Sequence, residues 1–376
     1  MDFGVVKTVE VKGNPYEMGV LQGEYFRDEI RHAADTLLTL PSLRSLKPQW
    51  MPNAVFQYIA GKKVWKPFVR YMRYTPDVWM RFGGLVSGSG VSKEYAAFLH
   101  MGEVLLNRAT YDVPTDACTG IAILPNMMGK TVVIKNFDYP PEIRQFNLLR
   151  KSIPNDGIPS IELTKTPVAI AHDGMNEEGL VVLYNYAASI YDSEDGPLLG
   201  ALVQHVLNTA HNVDESVDII MRYPKAPSSG IFLLADKKKA IAIEISPKRK
   251  MIRQPFDNLF VINTNHYQVP QMKDDQIPEN AVFRSGPMKG RMILESSFAR
   301  YDRGMKLLTR GVKTLDDVFA IARDHGESGI PSNNTICRHG EPSSATIVSA
   351  IFIPEDGVVY YRGGNPCEGP YGRITF

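Results

Sequence analysis

The chain is poor in cysteine, with 3 among 376 residues. So few thiols argue against a disulfide framework and suit a reducing compartment, so a cytoplasmic location is expected. The formal net charge is +1, which leaves no bulk field to hold a nucleic acid or an anionic membrane surface. No apolar run approaches the roughly 20 residues that cross a bilayer. The opening Met1-Asp2-Phe3-Gly4-Val5-Val6-Lys7 has an early acid and no long apolar core, and does not read as a secretory signal. Three common catalytic signatures are missing: the Gly-x-Ser-x-Gly elbow, the His-Glu-x-x-His metal helix and the Walker loop. Cys337-Arg338-His339 is too tightly spaced and too isolated in sequence to read as a zinc site, so no metal and no organic cofactor are expected.

What is present is a globular composition, 44% hydrophobic and 22% charged, long enough for one large domain or two ordinary ones. The first third reads mainly helical. Asn14-Pro15-Tyr16-Glu17 supplies a cap, a proline at the first helical position and an acid in the first turn, and an amphipathic stretch runs on to about Leu38. Pro41 and Pro52 bound a loop-like region. Residues 83–90, Gly-Gly-Leu-Val-Ser-Gly-Ser-Gly, read as a flexible loop leading to Ser92, the cap of a helix to about Arg108. No strand precedes those glycines and no Lys-Ser/Thr follows, so they make no phosphate cradle.

From Cys118 onward the pattern turns to strands, predicted at 118–125, 130–138, 160–171, 180–186, 229–235, 239–246, 249–254, 258–264, 345–353 and 358–363. Asp356-Gly357 between the last two is a hairpin signal. Helical blocks interrupt near 197–222 and 296–325, the second with a fresh start at Thr314. Prolines 140, 141, 154 and 159 suggest a rigid loop near 140–160, which together with 268–290 is expected to rim a pocket. Strands in groups and helices in separate groups predict an α+β layered fold.

Cys118 is the most chemically suggestive residue. It opens a strand-like run, and the next run returns a cation, Lys135, and a carboxylate, Asp138, beside it. The plain alternative is a buried strand cysteine, a common fate for this residue type. The position has one further property. If the chain is cut before Cys118, the thiol and a new α-amino group fall on one residue. An α-amine of pKa about 7.7–8.0 can take a proton from a thiol of pKa about 8.5, giving a nucleophile with its own base.

Asp116-Ala117-Cys118-Thr119 and Lys135-Asn136-Phe137-Asp138-Tyr139-Pro140 together resemble the core motif of the N-terminal-nucleophile hydrolases. The branch they most resemble contains acyl-coenzyme A:6-aminopenicillanic acid acyltransferase, with choloylglycine hydrolases more distant. Lys12-Gly13-Asn14-Pro15-Tyr16-Glu17-Met18-Gly19 with Gln22-Gly23-Glu24 is similar to that branch's leader. Gly174–Leu180, Thr264-Asn265-His266, Ser296–Tyr301, Ile336–His339 and Gly364–Glu368 are similar to later segments, in the same order. The resemblance implies a four-layer αββα fold of two antiparallel sheets between helical layers. It implies self-cleavage between Ala117 and Cys118. A mainly helical leader (1–117) and an αββα catalytic portion (118–376) would then stay together as one folded unit, a heterodimer of the chain's own fragments.

The resemblance also implies roles. Cys118 attacks an amide carbonyl and forms a thioester. Asp138 binds or orients its α-amino group. Asn265 donates to the oxyanion, with Asn185 a second donor and Tyr186 its competitor. Arg300 pairs with Asp138 or fixes Cys118. Lys135 lies where the bile-salt relatives have arginine, and is either a site cation or an outward strand residue. His266 is expected to be structural. The implied partners are a small-molecule amide and, for an acyltransferase, a coenzyme A thioester. One departure stands out: Ala117 occupies the place of a glycine, which reaches strained backbone angles more cheaply. If Ala117 prevented cleavage, the chain would be an uncut binding protein with the same fold.

Overall fold

The computed structural model describes residues 6–376 except 41–43, 45, 46, 108, 109, 113–116, 192–194, 342 and 343. The predicted ends of the loop at Pro41 and of the helix at Arg108 fall outside the described residues.

Fourteen strands are described. They are β1 (Lys7–Gly13), β2 (Ala117–Ile123), β3 (Val132–Tyr139), β4 (Asn147–Pro154), β5 (Ser160–Lys165), β6 (Asp173–Asn176) and β7 (Val181–Tyr186), followed by β8 (Gly230–Ala235), β9 (Ala240–Ile245), β10 (Lys250–Arg253), β11 (Phe260–Asn263), β12 (Ala345–Ile353), β13 (Val358–Gly363) and β14 (Gly372–Thr375). They form an eight-stranded sheet, β1-β4-β5-β6-β7-β8-β9-β10, and a six-stranded sheet, β11-β2-β3-β12-β13-β14. Among the described residues, only the β1–β4 pair is parallel. Asp356-Gly357 does turn β12 into β13, with Gly357 at φ 60°.

The larger helices are α1 (Pro15–Tyr25), α2 (Arg27–Leu37), α3 (Asn53–Met72), α4 (Pro76–Ser89), α5 (Lys93–His100), α6 (Leu199–Thr209), α7 (Val213–Arg222), α8 (Glu295–Thr309) and α9 (Leu315–Ala322). Side-chain alternation explains their placement. Val182, Tyr184, Phe232 and Leu234 point out of the first sheet into a core made with α6 and α7. Ile121, Ile123, Val132 and Ile134 point out of the second sheet into a core made with α8 and α9. The opposite phase of the same strands, including Ala122, Val133, Leu183 and Ile231, fills the space between the sheets. The architecture is the expected four-layer αββα sandwich, α+β in class.

Two expectations are corrected, and the leader holds a strand beside its helices: β1 joins the first sheet, and its alternation of Val9 and Val11 with charged residues is the readable signal. Residues 147–154 are a sheet strand, not a rim loop. Residues 83–89 are helical, with Gly90 as a left-handed cap at φ 69°. Their glycines are contact surfaces. A Cβ on Gly84 would lie 1.9 Å from the Tyr16 carbonyl oxygen, and one on Gly88 would lie 2.2 Å from that of Val20. Gly19 and Gly23 of α1 make the reciprocal approach to Arg81 and Leu85 of α4. The two helices thus meet backbone to backbone. Gly84→Ala gains helix propensity but meets unyielding backbone. It should cost about 1–3 kcal/mol, read as a lower thermal midpoint. An unchanged midpoint would contradict so close an approach.

Candidate active site

Cys118 is the second residue of β2 and fully buried. In phase with Ala122, it faces the space between the sheets. On β3, Lys135 is in phase with Val133 and Phe137 and therefore faces the same space, across from Gly120. The reading of Lys135 as an outward strand residue is thus excluded. Its ammonium pairs with Asp173 Oδ1 at 3.0 Å, donates to Asn185 Oδ1 at 2.8 Å and reaches the Tyr184 carbonyl. Burial pulls that ammonium down, but Asp173 and the Cys118 sulfur, to which it hydrogen-bonds, push it above the ordinary lysine value.

The opposite face of the same strands carries a second set of groups. Arg300, in the second turn of α8, lies under β2. Its guanidinium donates to the Cys118 carbonyl at 2.6 Å, to Thr119 Oγ1 at 2.9 Å and to Asn265 Oδ1 at 2.8 Å. Ser296, four residues earlier on the helix, accepts from Arg300 Nε. Burial lowers the Arg300 guanidinium, against the pull of Asp138 and Cys118.

Asn265 follows β11 and holds the other side of the residue. The Cys118 N–H donates to its Oδ1 at 2.9 Å, and its own N–H donates to Ser297 Oγ at 2.7 Å. Two donors, Cys118 N and Arg300, converge on one end of the amide, so that end is its oxygen. The Nδ2 end donates one hydrogen to the Tyr186 carbonyl at 2.8 Å. Its second hydrogen has no partner among the described hydrogen bonds. Asn185 is more fully committed: its Nδ2 serves the carbonyls of Asn263 and Thr264 at 3.1 and 3.0 Å, and that of Cys118 at 3.4 Å. It braces one sheet against the other.

Asp138 lies opposite Ala117 in the β2–β3 register. One oxygen accepts from Thr346 Oγ1 at 2.7 Å; the other is buried with no hydrogen-bond partner among the described residues. Burial raises its carboxyl above the ordinary range, although Arg300, Arg338, Thr346 and Lys135 pull it back. That open carboxylate oxygen belongs to the residue paired with Ala117 across the two strands.

Ala117 is a strand residue, and among the described residues only Asp257 and Asn258 have positive φ without being glycine. Its backbone is one that any L-residue adopts, so this position does not call for glycine. His266 is buried beside Asn265. Its Nδ1 meets Ser297 Oγ at 2.7 Å and Thr264 Oγ1 at 3.1 Å, and burial lowers its pKa to about 3. Asn263, the last residue of β11, accepts from Arg253 through its Oδ1.

Four participants escape a reading of the sequence alone. Asp173, Thr346 and Ser297 position Lys135, Asp138 and Asn265, and only the fold brings them near. Arg338 lies in a motif that gives it no role; burial lowers its guanidinium to about 10, while nearby Asp138 pulls upward. A narrow pocket of about 50 Å³ opens on Ala117, Asn265, Arg300 and Arg338, with Phe283 and Met288 as apolar walls. Phe283 and Met288 bring the 268–290 segment to this pocket, whereas Ile143 and Phe146 of the 140–160 segment line a separate one with Phe137 and His172.

Two sheets between helical layers, with a buried cysteine at the head of an inner strand, define the N-terminal-nucleophile class of fold. The family model of acyl-coenzyme A:6-aminopenicillanic acid acyl-transferase matches residues 126–368, more than half of the chain. The chain belongs to that family. The matched span begins just after Cys118. Among solved structures, the chain is similar to a Caenorhabditis elegans N-acylethanolamine-hydrolyzing acid amidase ortholog, at 14% identity and TM-score 0.44, covering 63% of this chain and 93% of that one. It is similar to penicillin V acylase from Agrobacterium tumefaciens at 15% and 0.43, covering 69% and 86%. It is also similar to a mutant of conjugated bile acid hydrolase from Clostridium perfringens at 14% and 0.39, covering 69% and 97%. No curated protein sequence matches. Among the described residues, no helix is long and apolar enough to cross a membrane.

Proposed function

We propose that the chain is a self-processing cysteine amidohydrolase that cleaves a non-peptide or small peptide-like amide through a Cys118 thioester. The observation that carries this reading is the grip on Cys118: Asn265 on its N–H, Arg300 on its carbonyl and Lys135 on its sulfur. A merely buried strand cysteine needs none of the three.

In the uncut chain the thiol attacks the Ala117 carbonyl and the acyl group moves from nitrogen to sulfur. That shift frees the α-amine of Cys118, and water then cuts the thioester, releasing the Cys118 thiol and the Ala117 carboxylate. The α-ammonium docks on the open oxygen of Asp138. In turnover, the α-amine takes the thiol proton, the sulfur attacks the substrate carbonyl, and the second Nδ2 hydrogen of Asn265 meets the oxyanion. Lys135 stabilises the charge on sulfur, as a neighbouring cation does. The amine leaves with a proton from the α-ammonium, and water releases the acid. No step calls for a metal or organic cofactor. A cytoplasmic setting, with its reducing poise, keeps the thiol in the required state.

Asp138→Asn keeps the shape and removes the charge. Its kcat should fall about 10²-fold on any amide that the wild type turns over. Full activity would remove Asp138 from the mechanism. The family's description favours a second reading, acyl transfer from a coenzyme A thioester to an amine. The two part at the acyl-enzyme. With substrate, an intact-mass adduct on Cys118 that decays at a rate set by added amine supports transfer. Decay indifferent to amine supports hydrolysis. No adduct with any amide or thioester donor overturns both.

A further inference from the structure

Four residues scattered in sequence meet at one place. His325 follows α9, Cys337 and His339 flank Arg338 in the loop before β12, and Cys367 lies in a short helical turn after β13. Their ligand atoms all lie within 4.8 Å of one another. The two histidine Nε2 atoms are 3.2 Å apart, and Cys367 Sγ is 3.3 Å from His339 Nε2. Tetrahedral zinc, with bonds of about 2.3 Å to sulfur and about 2.0–2.1 Å to nitrogen, sets its ligands about 3.3–3.8 Å apart. From this geometry we infer that His325, Cys337, His339 and Cys367 form a Cys₂His₂ site for a zinc-class divalent ion.

The chemistry of the donors narrows the ion. Two soft thiolates and two imidazoles in a closed tetrahedron suit zinc and disfavour magnesium or calcium, which take oxygen. Four protein ligands leave no open position, which is the mark of a structural site. Binding would release the two thiol protons to solvent. Cys337 is buried and Cys367 exposed, so the ion has a route in from the surface. The surroundings already hold the ligands in place. The Cys337 N–H donates to the Asp324 carbonyl at 3.0 Å, its carbonyl accepts from Thr335 Oγ1 at 2.8 Å, and Arg323 Nε reaches the Pro366 carbonyl at 3.1 Å.

The site has a consequence at the nucleophile, and that part rests on the function proposed above. Arg338 sits between two ligands. Its N–H donates to Thr346 Oγ1 at 3.0 Å, and the same hydroxyl donates to Asp138 Oδ1 at 2.7 Å. An ion on Cys337 and His339 would fix this relay and so position Asp138.

The test is elemental analysis of the full-length protein, purified from zinc-containing medium without chelator. One zinc per chain is expected in the wild type. Cys367→Ser and His325→Ala, both at partly or fully exposed positions, should each lower it to a small fraction. Cys118→Ala should keep the ion; loss there would assign the metal to the nucleophile and overturn the proposal. Cobalt(II) added to chelator-stripped protein should give visible d–d bands and a thiolate charge-transfer band, both absent in Cys367→Ser. Metal-poor wild type whose thiols react unchanged in the presence of zinc would overturn the site. So would a Cys337–Cys367 disulfide, seen as a mass lower by two hydrogens. None of these readouts depends on enzymatic activity, so the site and the proposed function fail separately.

Discussion

A Cys118→Ala chain should run as a single 42.0 kDa species where the wild type yields two fragments meeting at Ala117 and Cys118. The masses of the wild-type fragments should sum to that of the chain plus one water. The same change should lower amide turnover by about 10³-fold or more, because the nucleophile and the group that makes its base are lost together. The fold should survive. Alanine removes one sulfur from the space between the sheets, where Gly120 and Ala122, in phase with it on the same strand, are also small. Cleavage in the variant would move the scissile event away from Cys118. A single species in both would mean that the wild type also keeps its leader peptide bond, and would return weight to an uncut binding protein.

Glu162→Gln should be the most damaging single change to stability away from the site. Glu162 lies on β5 between two buried guanidiniums. Arg150 Nε donates to it at 2.7 Å and Arg81 approaches to 4.0 Å, while Ser152, Ser160 and Gln204 complete its shell. All three charges are buried. Burial pushes the Glu162 carboxyl up, but Arg150 and then Arg81 pull it below the ordinary value. Arg81, pressed by burial and by Arg150, is lowered to about 9. Neutral Gln would leave two buried cations facing each other, with only the more distant Asp77, itself bound to His205 and Asn208, acting on Arg81. Breaking such a pair costs about 3–5 kcal/mol, and denaturant unfolding would read it directly. The pH dependence has a definite sign. A carboxylate depressed in the folded state contributes stability above its unfolded pKa of about 4.3, and this is lost as pH falls through the folded value. The wild type should therefore weaken in acid below that point, and Glu162→Gln should show a flatter acid limb. Equal stability of the two proteins at neutral pH would show that the arginines are neutralised by other means.

Much of the site can be read along the chain because it is built on local pattern. The nearness of Cys118, Lys135 and Asp138 is legible because they lie on two adjacent strands, whereas alternation by itself leaves open which face Lys135 takes until the register is fixed. Arg300 and Asn265 are reached only by resemblance, since α8 and the end of β11 approach β2 through tertiary packing. Asp173 and Thr346 carry no signal at all: an acid on a short strand and a threonine on a long one look ordinary until the fold seats them beside a lysine and an aspartate. The misread segments have equally concrete causes. In β4, Arg150 occupies a core position that pattern reading assigns to solvent, because its counter-charge, Glu162, comes from β5 and its other acceptors, Gln22 and Gln204, from the leader and α6. In α4, glycine density suggests a loop, although those glycines exist for the contact with α1. The four metal-type residues fail a test of spacing along the chain, and that criterion does not see donors gathered from three separate segments.

The single parallel pair in the first sheet, β1 with β4, has a consequence for the life of the molecule after cutting. It stitches the leader's first strand into the body, and Gln22 adds a second tie through Arg150 and the carbonyls of Thr166 and Val168. A nick at Cys118 would therefore release nothing. It would, however, convert refolding from a search within one chain into an encounter between two. The mature molecule would then be one whose native state, once lost, is regained at a rate that falls with dilution.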